Sequence, residues 1–174
     1  MNQELELERT FLAKRLPEEL KAAPATRIVD TYIPDTVEHA QLRLRQKGDK
    51  YEITKKVPVS ETDFSAQIES TIVLDQAEYE ALEQSSRKCV CKDRYKVKID
   101  GHWAEVDVFR EDLAGLVLID FEFGSQNERD EFKMPDVALA DVTQEEFIAG
   151  GWLSGNSYDD IEVELAKYGY RRLS

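Results

Sequence analysis

The sequence predicts an α+β domain in which a run of antiparallel strands, closed into a barrel, is followed by a pair of helices. Three observations carry this. Seven stretches alternate apolar and polar residues with period two, roughly 4–12, 41–46, 50–57, 65–73, 89–99, 102–109 and 116–123, and 27–33 is a further candidate. Lys47-Gly48-Asp49 and Asp100-Gly101 fall between neighbouring stretches and read as hairpin turns. Helix-start signals gather late in the chain, and closing so many strands on themselves would leave no open sheet edge.

Each helix is read from its cap. Asp75 caps a segment running through Leu82, and Ser125 caps another ending near Phe132. Thr143 with Glu146 fits a capping box, and Ser157 with Asp160 a weaker one. The final pair, about 143–153 and 157–168, then forms a helical hairpin broken at Ser154-Gly155-Asn156, on which Trp152, Leu153 and Ile161 pack against the barrel. No repeat or linker divides the chain, so a single domain is expected, with 1–132 as barrel core and 133–174 as helical extension.

The 174 residues suit one domain that hides roughly 70% of its unfolded surface, so disulfide staples are not required. Asp+Glu 36 against Lys+Arg 23 leaves a net charge of -13, which argues against a protein that coats nucleic acid, since phosphate backbones are held by clustered cations. A small anion is still admissible if the few cations are concentrated. No apolar run approaches the roughly 20 residues of a membrane span, and Met1-Asn2-Gln3-Glu4 is not a signal peptide. Cys89 and Cys91 lack a second cysteine pair for zinc and read as packing in a reducing, cytoplasmic setting. His39 and His102 read as surface residues, Gly150-Gly151 as a separation between helices, and the acidic face Asp159, Asp160, Glu162 and Glu164 as solvated.

In a strand, residues two apart share a face. Glu4, Glu6 and Glu8 therefore stand opposite Leu5, Leu7 and Phe11, and Arg43 and Arg45 opposite Leu42 and Leu44. Thr54 and Lys56 oppose Ile53 and Val57, and Gln67, Glu69 and Thr71 oppose Ile68 and Ile72. Lys92, Arg94, Lys96 and Lys98 form a basic stripe, Glu105 and Asp107 an acidic pair, and Asp120 and Glu122 alternate with Ile119, Phe121 and Phe123. Each charged face carries chiefly one sign, whereas ordinary outer faces intersperse signs because like charges across strands repel. Turned inward, the carboxylates would gather divalent cations and the Arg/Lys rows a polyanion, inside a hydrated channel.

At these residues the chain resembles the CYTH superfamily, the triphosphate tunnel metalloenzymes, whose mark is ExExK. Glu6-Leu7-Glu8-Arg9-Thr10-Phe11-Leu12 resembles its opening strand. The likeness continues in order through Leu42-Arg43-Leu44-Arg45-Gln46, Thr54-Lys55-Lys56, Gln67-Ile68-Glu69, Lys92-Asp93-Arg94-Tyr95, Glu105-Val106-Asp107-Val108-Phe109 and Asp120-Phe121-Glu122-Phe123. The resemblance implies an antiparallel eight-stranded tunnel that hydrolyses inorganic triphosphate, or an organic or nucleoside triphosphate, with Mg²⁺ or Mn²⁺. It implies Glu6, Glu8, Asp107, Asp120 and Glu122 as metal ligands. Arg43, Arg45, Lys56, Lys92 and Arg94 would hold phosphate, and Glu69, Glu105 and Lys92 would serve the chemistry, the acids by placing water or completing a second metal site. The implied partner is a small-molecule triphosphate, with neither nucleic acid nor membrane, and the oligomeric state stays open between monomer and homodimer.

The chain departs from that pattern in places. Thr10 stands at the ExExK lysine, Gln67 and Thr71 flank Glu69 where Arg and Glu are common, and the C-terminal basic segment is the acidic Thr143-Gln144-Glu145-Glu146-Phe147. A noncatalytic polyphosphate- or nucleotide-binding barrel and an adenylyl cyclase are the alternatives. An apolar-ligand barrel or an interaction scaffold would instead turn Leu44, Ile68 and Phe121 toward the cavity.

Overall fold

The computed structural model describes residues 2–173. Nine strands form one antiparallel sheet: β1 Asn2–Ala13, β2 Ala25–Ile33, β3 Leu42–Lys47, β4 Lys50–Ser60, β5 Asp63–Leu74, β6 Cys89–Ile99, β7 His102–Phe109, β8 Val117–Glu122 and β9 Ala138–Asp141. The order β5-β4-β3-β2-β6-β7-β8-β1-β9 closes because β1 also pairs with β5. The seam lies in β1 itself. Its first half runs against β5, with Glu6 opposite Gln67, and its second half against β8, with Glu8 opposite Glu122 and Thr10 opposite Asp120. Eight strands thus make the predicted barrel, and 27–33 is one of them.

The short β9, which pairs with the end of β1 through Phe11 opposite Asp141 and Leu12 opposite Ala140, lies outside the expected elements. Four residues, Ala-Leu-Ala-Asp, hold too little alternation to announce a strand, and only the bare edge of β1 makes it one.

Helix α1, Gln76–Glu83, starts on a full capping box at Asp75 and Glu78, and α2, Gln126–Glu131, on Ser125. The C-terminal segment corrects one expectation. Thr143 begins no helix: its hydroxyl accepts the Thr10 N–H at 3.0 Å and donates to Asp141 at 2.5 Å, which ties this stretch to the end of β1. Only a 3₁₀ turn at Glu146–Ile148 and a single α turn, α3 Gly150–Leu153, follow before α4, Tyr158–Ala166, which starts on the Ser157/Asp160 box.

Two apolar cores hold the barrel, one closing an end of its interior and the other packed outside its wall. In one, Leu12, Val90, Phe109 and Leu118 pack with Phe147, Leu153, Ile161, Leu165 and Tyr170 of the C-terminal segment, with Trp152 partly buried at its margin. In the other, Phe11, Val97, Val106, Ile119 and Phe121 pack with Val137 and the ring of Phe132. The second core takes the outward side chains of β1, β6, β7 and β8, which leaves the alternate residues of those strands to line the interior, charged at its centre and apolar where Leu12, Val90, Phe109 and Leu118 meet the first core.

Candidate active site

A cavity of about 410 Å³ runs into the barrel, and the charged faces line it. Its wall holds Glu6, Glu8, Arg43, Arg45, Lys56, Glu69, Lys92, Arg94, Glu105, Asp107, Asp120 and Glu122, so every expected site residue comes to one place. Leu44, Ile68 and Phe121 are absent from that lining, which disposes of the apolar-ligand alternative. Lys96, although in phase with Lys92 and Arg94, is exposed and does not reach the cavity. The interior is polar at its centre and turns apolar at one end, where Tyr32, Phe64, Phe109 and Ile148 stand.

Three ion clusters organise the interior. In the first, Lys56 on β4 sits among Glu6, Glu8 at 3.6 Å and Glu69 at 3.5 Å. Burial works against the Lys56 ammonium, yet these carboxylates outweigh it and raise its pKa. Glu69 shows the reverse balance: burial would raise it, but Lys56 and Arg43 hold it below the usual carboxylate value. Glu6 is raised, because burial exceeds what Lys56 returns. Gln67 is no idle substitution, since its amide donates to Glu8 at 2.9 Å. Thr71 likewise donates to Glu69 at 3.1 Å.

The second cluster centres on Asp107, which is 1% exposed. Lys92 donates to its Oδ2 at 2.5 Å, and Arg94 forks onto it at 2.6 and 2.7 Å. Burial alone would raise this carboxyl, but Arg94 and Lys92 hold it far below its ordinary value. Arg94 also reaches Glu105 and lies 4.0 Å from Asp120. The same burial lowers Lys92, which Asp107 only partly offsets.

The third cluster was not foreseen. Asp30 on β2, 1% exposed, takes the Nε and Nη2 of Arg45 at 2.7 and 2.8 Å. This planar two-point pairing is the strongest geometry open to the two groups, and it holds the buried Asp30 well below its ordinary value despite the burial. The signal in the sequence was one acid in phase with Ile28 and Tyr32 on an otherwise uncharged strand face. Arg43 keeps an unspent donor: its Nε is buried without a hydrogen-bond partner.

Opposite these cations, Glu8, Asp120 and Glu122 come together across the β1–β8 pairing. Thr10 donates to Asp120 at 2.6 Å, so the position of the missing lysine faces the cavity and holds a neutral hydroxyl. Burial, with the charges of Asp107 and Glu8 adding to it, pushes Asp120 up to about 7. Among the described residues no three His, Cys, Asp or Glu side chains are arranged to hold a metal, as Glu6 and Glu69 are turned onto Lys56. The chemistry of the donors nevertheless fits a hard cation. Carboxylate oxygens are its preferred ligands, and a carboxyl whose pKa burial and neighbouring carboxylates have raised is where a dication brings most relief.

The segment 143–151 covers the apolar end. Gln144 accepts the Phe64 N–H at 2.9 Å and donates to Asp63 at 3.1 Å, while His39 stands 3.3 Å from Glu146. Gly150-Gly151 does more than separate helices: a Cβ at Gly150 would meet the Tyr32 hydroxyl at 1.9 Å, and one at Gly151 the Ala40 carbonyl at 2.1 Å. Both glycines let this segment seat against the barrel rim.

No protein-family model matches the chain. The inorganic triphosphatase of Nitrosomonas europaea (strain ATCC 19718) is 35% identical over 143 residues, covering 80% of this chain and 90% of that protein. The crystal structure of the inorganic triphosphatase NE1496 superposes with a TM-score of 0.63 at 30% identity, over 86% of this chain and 93% of the other. A conserved hypothetical protein from Pyrococcus furiosus shares the fold at 21% identity and a TM-score of 0.50, over 72% of this chain and 84% of that one. With inward-facing charged rows, a closed eight-stranded barrel and these relatives, the chain belongs to the CYTH, or triphosphate tunnel, superfamily.

Proposed function

We propose that this protein hydrolyses inorganic triphosphate, cleaving a terminal phosphoanhydride inside the tunnel. The observation that carries the reading is the convergence of Arg43, Arg45, Lys56, Lys92 and Arg94 on one cavity that also holds the carboxylate row of Glu8, Asp120 and Glu122. These five side chains are donors suited to phosphate oxygens, and the buried Nε of Arg43 has a hydrogen bond still to give. The relative in Nitrosomonas europaea, named an inorganic triphosphatase, supports the same substrate.

Mg²⁺ or Mn²⁺ would be held by Glu6, Glu8, Asp120 and Glu122. When bound, such an ion neutralises the polyphosphate and lowers the cost of charge building on its oxygens. Asp107 is left out of that set, because both its oxygens are already taken by Lys92 and Arg94. Its part is to hold those two cations toward the cavity. Asp30 does the same for Arg45, so the phosphate-binding side chains are aimed before substrate arrives and lose little freedom on binding it. Glu69 and Glu105, each beside a cation, orient the attacking water. Phosphoryl transfer asks mainly for this alignment and charge neutralisation, with no covalent nucleophile.

The test is phosphate release from inorganic triphosphate, ATP and thiamine triphosphate with Mg²⁺, Mn²⁺ or EDTA. The reading expects metal-dependent release, greatest with inorganic triphosphate, and its loss in Glu6→Gln. Tight binding of triphosphate with no release under any metal would make the protein a binding module.

A further inference from the structure

The acids that β1 turns into the cavity have no cation of their own strand beside them. Thr10 is neutral, and Arg9, one residue out of phase, pairs with Asp141 instead. The ammonium that answers Glu6 and Glu8 comes from another strand. Lys56 on β4 reaches across β5, which lies between β4 and β1 in the sheet. It touches Glu6 and stands 3.6 Å from Glu8 on β1 and 3.5 Å from Glu69 on β5. The Lys56 side chain is 23% exposed, and those of Glu6, Glu8 and Glu69 are 22%, 17% and 22%, so little water shares the contact.

Glu6 and Glu8 are also two of the carboxylates that would hold Mg²⁺ or Mn²⁺. A dication bound to their oxygens at roughly 2.0–2.6 Å would stand beside the ammonium. Two cations that close repel strongly where water is scarce, so Lys56 and a metal compete for the same oxygens. Glu69 is placed differently. It lies directly opposite Lys56 in the β4–β5 register, and Thr71 donates to its Oε1, which leaves Oε2 to Lys56 and to Arg43 at 3.4 Å. An ammonium released by Glu6 and Glu8 can stay on this oxygen, next to the guanidinium whose Nε still lacks a partner.

From this geometry we propose that Lys56 is a switch between metal and phosphate. Without metal it bridges Glu6 and Glu8 to Glu69 and keeps the metal site shut; metal binding turns it, with Glu69 as pivot, toward the phosphates beside Arg43. Only the torsions of one flexible side chain need change. The coupling is reciprocal: a triphosphate that draws Lys56 off Glu6 and Glu8 tightens metal binding by the factor by which metal tightens triphosphate. The proposal rests on the reading of Glu6 and Glu8 as metal ligands, and not on which phosphoanhydride is cut.

Mn²⁺ binding to the full chain without substrate, followed by the electron paramagnetic resonance of free Mn²⁺, tests it. Lys56→Met removes the competitor and should bind Mn²⁺ about tenfold more tightly than the wild type, as for a site that the lysine leaves open about a tenth of the time. Lys92→Met takes the same charge from the same cavity, but from Asp107, and should tighten binding about twofold at most. A second measurement keeps the wild-type chain: nitrogen-15 spectra of its lysine ammonium groups, with the Lys56 signal assigned through Lys56→Arg. Mg²⁺ without substrate should move that signal much further than the signal of Lys92. Absence of Mn²⁺ binding, equal affinity in wild type and Lys56→Met, an equal gain in Lys92→Met, or a Lys56 signal unmoved at saturating Mg²⁺ would each overturn the proposal. Phosphate release is scored separately, so a chain that exchanges Lys56 for metal yet releases no phosphate would overturn the hydrolase reading alone.

Discussion

Asp30 offers the sharpest test of how the tunnel is held in readiness, because it never needs to touch the substrate. Asp30→Asn removes the charge from a pair in which Asp30 is 1% and the Arg45 side chain 8% exposed, leaving a guanidinium buried without its partner. Breaking one side of such a pair costs about 3–5 kcal/mol, against a total stability of roughly 5–15 kcal/mol for a domain. Urea denaturation would show that loss as a lower midpoint, and triphosphatase assays should show KM rising while dependence on metal concentration stays put. A second variant separates stability from function. Asp30→Leu with Arg45→Met replaces both charges by apolar groups and should recover most of the lost stability while leaving KM high. The pH dependence follows from the depressed Asp30 pKa: its stabilisation is complete above the ordinary value of 3.8 and fades as pH falls below it. An Asp30→Asn protein with wild-type midpoint and KM would refute the argument.

Other outcomes follow from the same geometry. Thr10→Lys places an ammonium beside Asp120, and should lower that carboxyl's pKa and tighten triphosphate binding about tenfold, read by calorimetry; unchanged binding would mean that position 10 is remote from the ligand. Asp120 is raised to about 7, so in metal-free protein stability should be greatest below pH 3.8 as far as this group is concerned, and should fall as pH rises through about 7. Asp120→Asn should flatten that slope in thermal denaturation series with EDTA, and Mg²⁺ should flatten it for the wild type. Asp107→Asn frees Lys92 and Arg94 together, and should raise KM more than loss of Arg94's other partner, Glu105; equal effects from Asp107→Asn and Glu105→Gln would contradict its anchoring role. Gly150→Ala drives a methyl into the Tyr32 hydroxyl, and should lower the melting temperature by several degrees.

Much of the fold was legible because alternation is a local property. The stretches around Arg43, Lys92 and Asp120 each declared two faces, and their signs were already sorted along the chain. Elements failed where the deciding contact lay far away. Thr143 carries a helix-start signal, but Asp141 and the backbone of Thr10, 133 positions earlier, claim its hydroxyl first. Strand β9 exists because β1 has a free edge there, and nothing within Ala138–Asp141 says so.

The site divides along the same line. Period two and one sign per strand determined, from sequence alone, that charged rows exist, which residues compose them and which apolar rows oppose them. Tertiary structure decided that the rows face one bore, and which charge answers which. Arg45 finds Asp30 across fifteen positions, Arg94 finds Asp107 across thirteen, and Glu8 meets Glu122 only through the register of closure. Side-chain direction is written into a single strand by its pleat, whereas charge pairing depends on register between strands, which exists only once the sheet has curled round and β1 has taken β5 on one side and β8 on the other.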